Sequence, residues 1–214
     1  MSPPVLSRAR AVEIAIAVLD AEGPGAVTMR RVARDMGVPL MSLYRHVRSK
    51  DDLDGAVVEA LVAGVRPEPR GDGWDPGLRA WAVAYREMVR RHPNAAPLLA
   101  TRPAAAYRGR ADDVETALRA LAAEGLSAAE ARVQLRAALV AITAFCNAQA
   151  AARASAEEAP EAPPDPDHPL LADLMADLRS GSYADEVFDA MVSGVVAGID
   201  RAIADARAPR PATG

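Results

Sequence analysis

Cysteine, lysine and aromatic side chains are the scarce components of this sequence. One cysteine, Cys146, stands among 214 residues, so no internal disulfide can form, which fits a reducing compartment. Aromatics make up 4% of the chain while half of it is hydrophobic. A core poor in rings and rich in alanine favours helices packed closely through small side chains. Arginine supplies every positive side chain except Lys50. The N-terminus lacks the charged-then-apolar pattern of a leader, and no unbroken apolar run reaches the ~18 residues of a membrane span. Strand-like alternation and internal repeats are also missing. These absences predict an all-α, soluble, cytoplasmic protein.

Helical periodicity fills the space, interrupted by proline and glycine. The pattern predicts a first helix from Ser7 to Glu22, with Ala11, Ile14, Ala15, Val18 and Leu19 inward, closed by Gly23-Pro24-Gly25. Ser49 is a suitable N-cap for a helix through Leu53, Val57, Leu61 and Val65, with Asp51 and Asp52 complementing its dipole. Proline and glycine between Arg66 and Asp75 mark a domain boundary. Asp75-Pro76 then opens a helix carrying Leu78, Trp81, Ala82, Tyr85, Met88 and Val89. A short helix passes through Leu98 and Leu99, and Pro103 begins one that runs to Glu124-Gly125. Ser127 and Glu130 form a capping box for a long helix to Ala156 bearing Val133, Ala137, Val140, Ala141 and Ala144. Glu157 to Pro169 reads as an acidic, proline-rich loop. Ser182-Tyr183-Ala184-Asp185 precedes a last helix from Asp185 to Ala206, and the tail after Pro209 reads as disordered. The division expected is residues 1–66, 67–208 and a tail of 209–214.

Charge divides the same way. Residues 1–50 carry a net +4 and the remainder a net −8, within a chain of net −4. A locally basic segment on an acidic protein points to a reading surface for an anionic polymer.

That segment contains the most informative stretch, Thr28 to Lys50. Thr28 can cap a short helix in which Met29, Val32, Ala33 and Met36 share a buried face, leaving Arg30, Arg31 and Arg34 outward. Gly37 stands where the chain must turn through positive φ. A second helix from Leu40 to Val47 buries Leu43 and Val47 and presents Ser42, Tyr44, Arg45 and His46. Two short helices about a glycine turn are the layout of a helix-turn-helix DNA reader. Thr28 and Arg30 suit phosphates, through a hydroxyl, helix-end N–H groups and a guanidinium. Arg45 has the fork that pairs with guanine O6 and N7. Leu40 either packs or touches a thymine methyl.

The residues Thr28, Arg30, Ala33, Gly37, Val38, Ser42, Leu43, Tyr44, His46, Val47, Lys50 and Leu53 resemble the DNA-binding region of the tetracycline-repressor-like (TetR/AcrR) bacterial regulators. The resemblance spans residues 8 to 65 and is sharpest in Leu43-Tyr44-Arg45-His46-Val47-Arg48-Ser49-Lys50. It implies a three-helix N-terminal helix-turn-helix domain and a larger helical domain that binds an effector and dimerises. It also implies a backbone-contacting role for Tyr44 and polar DNA contacts from Ser42, His46 and Lys50. A repressor released from operator DNA by a small molecule is the function implied.

The remaining features are weaker. Trp81, Tyr85, Met88, Tyr107, Phe145, Asn147 and Gln149 combine apolar walls with polar handles and are the candidate effector contacts, though some must be ordinary core. Arg86 and Arg108 read as surface ion-pair partners. Asp165, Asp167 and His168 lack ligand-matched spacing, so no metal and no cofactor is expected. His92 reads as a helix-end residue and Cys146 as a small packing residue, so no nucleophile–base constellation argues for an enzyme. A reader of this size gains affinity from two half-sites, which predicts a homodimer. Its interface is expected on the long helix and on the last helix, through Val187, Met191, Gly194, Val195, Gly198, Ile199 and Ala202; the two glycines serve either that interface or an intrachain contact. The rival reading is a helical dimeric sensor or adaptor that no longer binds DNA.

Overall fold

The structure, a computed structural model, describes residues 7–68, 71–156, 167–180 and 184–208. Among the described residues there are eleven α-helices, two short 3-10 turns and no strand, so the fold is all-α as expected. The chain forms two compact units, Met1–Ala117 and Leu118–Gly214.

The first unit begins with α1 (Arg8–Glu22), whose start is fixed by the Ser7 hydroxyl accepting from the Arg10 N–H at 3.2 Å. Gly23, at φ 81°, ends it. The buried stripe is Ala11, Val12, Ala15, Val18 and Leu19. Ile14, expected inside, is only half-buried, because the stripe is centred on Ala15 and leaves it at the margin. After a 3-10 turn at Pro24–Ala26, α2 (Met29–Asp35) and α3 (Leu40–Tyr44) pack together. The Val38 N–H returns to the Ala33 carbonyl at 3.0 Å around Gly37, which takes φ 70°. That bond closes the helix end in the left-handed turn glycine permits. The last turn of α3 tightens, and regular helix stops at Tyr44 rather than Val47. The Val47 N–H still reaches the Leu43 carbonyl at 3.0 Å, which keeps both side chains fully buried.

Helix α4 (Lys50–Ala63) is capped by the Ser49 hydroxyl, which accepts from the Asp52 N–H at 3.0 Å. It buries Leu53, Ala56, Val57, Val58, Leu61 and Val62, and packs on α1. Then follow α5 (Trp74–Arg91), a 3-10 turn at Pro93–Ala95, α6 (Ala96–Thr101) and α7 (Pro103–Gly109). Helix α5 starts at Trp74, one residue before Asp75-Pro76, and Gly73, with φ 101°, is its N-cap. His92 closes it, with Nδ1 against the Asp20 carboxylate at 2.9 Å, while the Asn94 side-chain amide donates to the Asp20 carbonyl at 3.0 Å.

The single helix expected from Pro103 to Glu124 is instead two, α7 and α8 (Ala111–Ala123), broken at Arg110. The break follows from packing. A Cβ on Gly109 would lie 2.6 Å from the Glu59 carbonyl oxygen, so α7 rests directly on the α4 backbone there. Arg108 bonds Glu59 at 2.6 Å, and the Arg110 guanidinium reaches the Val65 carbonyl. Burial of Arg110 and repulsion from Arg66 hold its pKa below the usual arginine value.

The second unit holds α9 (Ala128–Ala156), α10 (Pro169–Ser180) and α11 (Ala184–Arg207). The expected capping box is present: the Ser127 N–H donates to Glu130 at 2.8 Å, and the Glu130 N–H to the Ser127 hydroxyl at 3.3 Å. Helix α9 buries Ala131, Leu135, Ala138, Ile142, Cys146 and Ala150. It packs on α11, which buries Phe188, Val192, Val196, Ile199 and Ile203. Of the apolar residues read on this helix, Val133, Ala137, Val140 and Ala144 are exposed and Ala141 is half-buried. Two adjacent stripes of α9 are thus both apolar. Its alanine content also corrects the membrane reading: Ala128–Ala152 is long and apolar enough, by length and composition alone, to cross a bilayer. The regular inward stripe against α11, with Asn147 buried beside it, is that of a core helix. Helix α10 was not expected; its Leu170 is 84% exposed, and Leu171 and Leu174 are exposed beside it. The capping pattern at Ser182-Tyr183, Asp165 of the acidic segment and the tail after Pro209 lie outside the described residues.

Candidate nucleic-acid interface

The reading head is a frame of buried aliphatics with a polar outer face. Met29, Val32, Ala33, Met36, Leu43 and Val47 are buried. Burying an aliphatic side chain is worth roughly 1.5–3 kcal/mol, so these six fix the α2–α3 angle. Leu43 and Tyr44 are adjacent yet opposite: Leu43 is fully buried and Tyr44 is 41% exposed.

Each expected contact residue can be placed on that frame. Thr28 is exposed, and its hydroxyl oxygen accepts from the Arg31 N–H at 3.1 Å. That cap occupies one of the helix-end N–H groups, and the hydroxyl proton can still be donated outward. Arg30 is exposed. Arg31, expected outward, is half-buried in a double ion pair, to Glu22 and to Asp35, both at 2.6 Å. Both acids are pulled below the usual carboxylate range by Arg31, and its own pKa is raised by Glu22 and then Asp35. Arg31 therefore braces α2 against the end of α1. Arg45 is exposed and donates to the Ser42 hydroxyl at 3.3 Å, so these two lie together. His46 is half-buried, and its carbonyl accepts from Arg8 at 3.3 Å. Leu40 is half-buried, whereas Met41 is 74% exposed. The apolar group presented by α3 is thus Met41, which periodicity missed because a methionine beside a helix start reads as core.

Three acidic residues organise the basic ones. Asp52 takes Arg8 at 2.6 and 2.9 Å and the Arg48 N–H at 2.8 Å, closing the turn between α3 and α4 onto α1. Arg8 and then the Arg48 N–H hold Asp52 at a pKa of about 2. Asp54 is buried and bonds the Lys50 ammonium one turn before it. Arg102, at the junction of α6 and α7, reaches Asp54 at 3.3 Å and Asp51 at 2.8 Å. The i,i+4 spacing of Lys50 and Asp54 was a readable signal of that pair; the approach of Arg102 was not.

The effector candidates divide between the units. Trp81 stacks on Tyr85 with ring centroids 5.0 Å apart, and Tyr85 and Met88 are buried while Trp81 and Tyr107 are half-buried. In the second unit Phe145 lies 6.0 Å from Phe188, Asn147 is buried, and the Gln149 amide donates to the Ala184 carbonyl at 3.4 Å. Arg86, read as a surface residue, is buried; Arg108 is the one that pairs at the surface.

Comparison with known proteins supplies the context of this head. Residues 12–57 match the family described as bacterial regulatory proteins, tetR family, and residues 66–203 match the tetracyclin repressor-like, C-terminal domain. An HTH-type transcriptional regulator of Saccharopolyspora erythraea is 34% identical over 128 residues, 59% of this chain and 54% of that protein. The chain thus spans about half the length of that curated relative. Apo ActR from Streptomyces coelicolor superposes with a TM-score of 0.71 at 26% identity, over 94% of this chain and 99% of ActR. ActR in complex with (S)-DNPA superposes with a TM-score of 0.69 at 25% identity, over 92% and 100%. With both segments matched, and with a buried helix-turn-helix frame carrying an exposed polar face, the chain belongs to the tetracycline-repressor-like (TetR) family of bacterial regulatory proteins.

Proposed function

We propose that this chain is a transcriptional regulator, not an enzyme, that binds double-stranded operator DNA through Thr28, Arg30, Leu40, Ser42, Tyr44, Arg45, His46 and Lys50. It acts as a repressor released by a small-molecule effector. The observation that carries this reading is the exposure of Tyr44 and Arg45, with half-buried Ser42 bonded to Arg45, on a segment whose alternate side, Leu43 and Val47, is fully buried. A scaffold that no longer bound DNA would have no need of that pairing of rigid frame and exposed donors. Residues 1–66 serve as reader, and residues 67–208 as effector-binding and dimerisation region, a division supported by the two matched segments.

Dimerisation through α9 and α11 is supported by a second apolar stripe on each. Val133, Ala137, Val140 and Ala144 of α9 are exposed, as are Val187, Gly194 and Gly198 of α11. Nothing lies within 4 Å of a Cβ at either glycine, so neither is needed for an intrachain approach. Exposed apolar stripes of this kind mark association surfaces. Effector binding is supported by the similarity to ActR, which was solved with (S)-DNPA; Trp81, Tyr85, Met88, Tyr107, Phe145, Asn147 and Gln149 are the residues we assign to it. By the differential-affinity argument, an effector preferring a state with misplaced readers weakens DNA binding roughly 5–150-fold.

The test is a gel-shift titration with the DNA upstream of the chain's own gene, using wild type and Tyr44→Ala. Binding abolished by the substitution supports the reading. Equal binding by both proteins would remove α3 from the interface.

A further inference from the structure

Asp54 holds a buried carboxylate in α4 beside Lys50. Its side chain is 8% exposed, and a charge so placed must be paired to persist. It has two cationic partners on two different parts of the fold. One carboxylate oxygen bonds the Lys50 ammonium at the head of α4; the other faces Arg102 at 3.3 Å. Arg102 is both the C-cap of α6 and the N-cap of α7, at φ −128° and ψ 56°, so it moves with that junction.

Arg102 also bonds Asp51, and the shorter distance, 2.8 Å, is to that residue. Length and burial therefore point to different partners. Burial decides: Asp51 is 88% exposed, where water screens the attraction, whereas Asp54 is shielded. Helix α7 continues along α4 through Arg108 on Glu59, Gly109 on the Glu59 backbone and Arg110 on the Val65 carbonyl. Arg102 is the end of this contact nearest the DNA-reading turn.

We infer that Asp54 is a counterion shared by Arg102 and Lys50, and that its division between them sets whether the Lys50 ammonium is available to a DNA phosphate. This rests on the reading of Lys50 as a polar DNA contact, which we assign to a phosphate. With Arg102 in place, Asp54 is neutralised from the α6–α7 side, and Lys50 can turn outward without leaving a buried charge unpaired. Withdrawal of Arg102 leaves Lys50 as the only cation on Asp54, and the lysine is retained. A shift of the α6–α7 junction is thereby converted into the loss of one phosphate contact per reader, with no movement of the recognition helix required. Arg102 and Asp54 are positioning residues in this scheme; neither touches DNA.

Lys50 is the only lysine in the chain, so it can be observed directly. Reductive methylation with carbon-13 gives one dimethyl-lysine NMR signal, separate from the α-amino signal, whose chemical shift at fixed pH reports the Lys50 environment. We expect Arg102→Gln and Asp54→Asn each to move that signal, because each alters the pairing of Asp54 with Lys50. In unmethylated protein, Arg102→Gln should make the log–log salt dependence of binding shallower by ~0.9 per reader, one phosphate contact fewer. The probe is a duplex enriched by the wild type from a random-sequence pool. The double variant Asp54→Asn/Arg102→Gln should recover the wild-type slope, and Arg108→Gln, which removes another α7 arginine, should leave it unchanged. An unmoved signal in both single variants overturns the shared counterion. A moved signal with an unchanged slope overturns its role at DNA. Failure of the wild type to enrich any duplex strikes instead at the DNA-binding reading itself.

Discussion

Leu43 and Tyr44 show how much a single residue step can decide. The first is sealed beneath α3 and the second stands over it, so their substitutions should separate stability from recognition. Leu43→Ala should cost about 2–5 kcal/mol of unfolding free energy, the range for emptying a buried leucine site. Tyr44→Ala should stay within about 0.5 kcal/mol of wild type, as exposed positions do, while DNA binding is lost. Urea denaturation of both variants checks the pair of statements. Asp52 gives a prediction in pH. Its pKa is depressed to about 2 by Arg8 and then by the Arg48 N–H. A carboxylate lowered on folding stabilises above its unfolded pKa, near 4, and that contribution is lost as pH falls toward 2. Asp52→Asn should therefore lower the melting temperature at neutral pH and flatten the acid limb between about pH 4 and 2. A variant whose acid limb matches wild type would show that the Arg8–Asp52 pair contributes nothing to folding.

At the scale of helices, caps and turns were readable and faces were less so. Thr28, Ser49 and Ser127 cap the helices they were expected to cap, because an N-cap is a local bond between a hydroxyl and an N–H three residues on. Gly37 has the positive φ that its place in the turn required. The inward side of α9 was not legible because alanine marks no face, and its core stripe depends on what α11 supplies. The α7–α8 break was illegible for a different reason: Gly109 reads as a mild interruption until the α4 backbone lies against it. The same holds within the site. The exposed donors of α3 follow from periodicity, but the pairing of Arg31 with Glu22 and of Arg102 with Asp54 spans 9 and 48 positions and needs the fold. Gly109→Ala should push α7 from α4 and cost roughly 1–3 kcal/mol, the usual penalty of overpacking. Calorimetry would show it; an unchanged transition would mean that α7 does not bear on α4.

In the whole molecule, the proposed dimer brings two readers together. Val133, Ala137, Val140 and Ala144 of α9 and Val187, Gly194 and Gly198 of α11 form exposed stripes of small or apolar residues, and Gly198 has open space around it. Gly198→Arg should leave the chain folded and convert dimers to monomers in sedimentation experiments, with DNA affinity lost in parallel because two half-sites are no longer engaged together. A dimer unaffected by the arginine would move the interface elsewhere. The central claim, however, is that this protein reads DNA with an arginine-rich head on an otherwise acidic chain. Its most direct measurement is binding of the upstream duplex by fluorescence anisotropy from 50 to 200 mM salt, on the scale of phosphate-dominated recognition, for wild type and Tyr44→Ala. Tight wild-type binding, whose logarithm falls linearly with the logarithm of salt, is the expected result, with none for the variant. A folded, dimeric wild type that fails to bind at the lowest salt would contradict it.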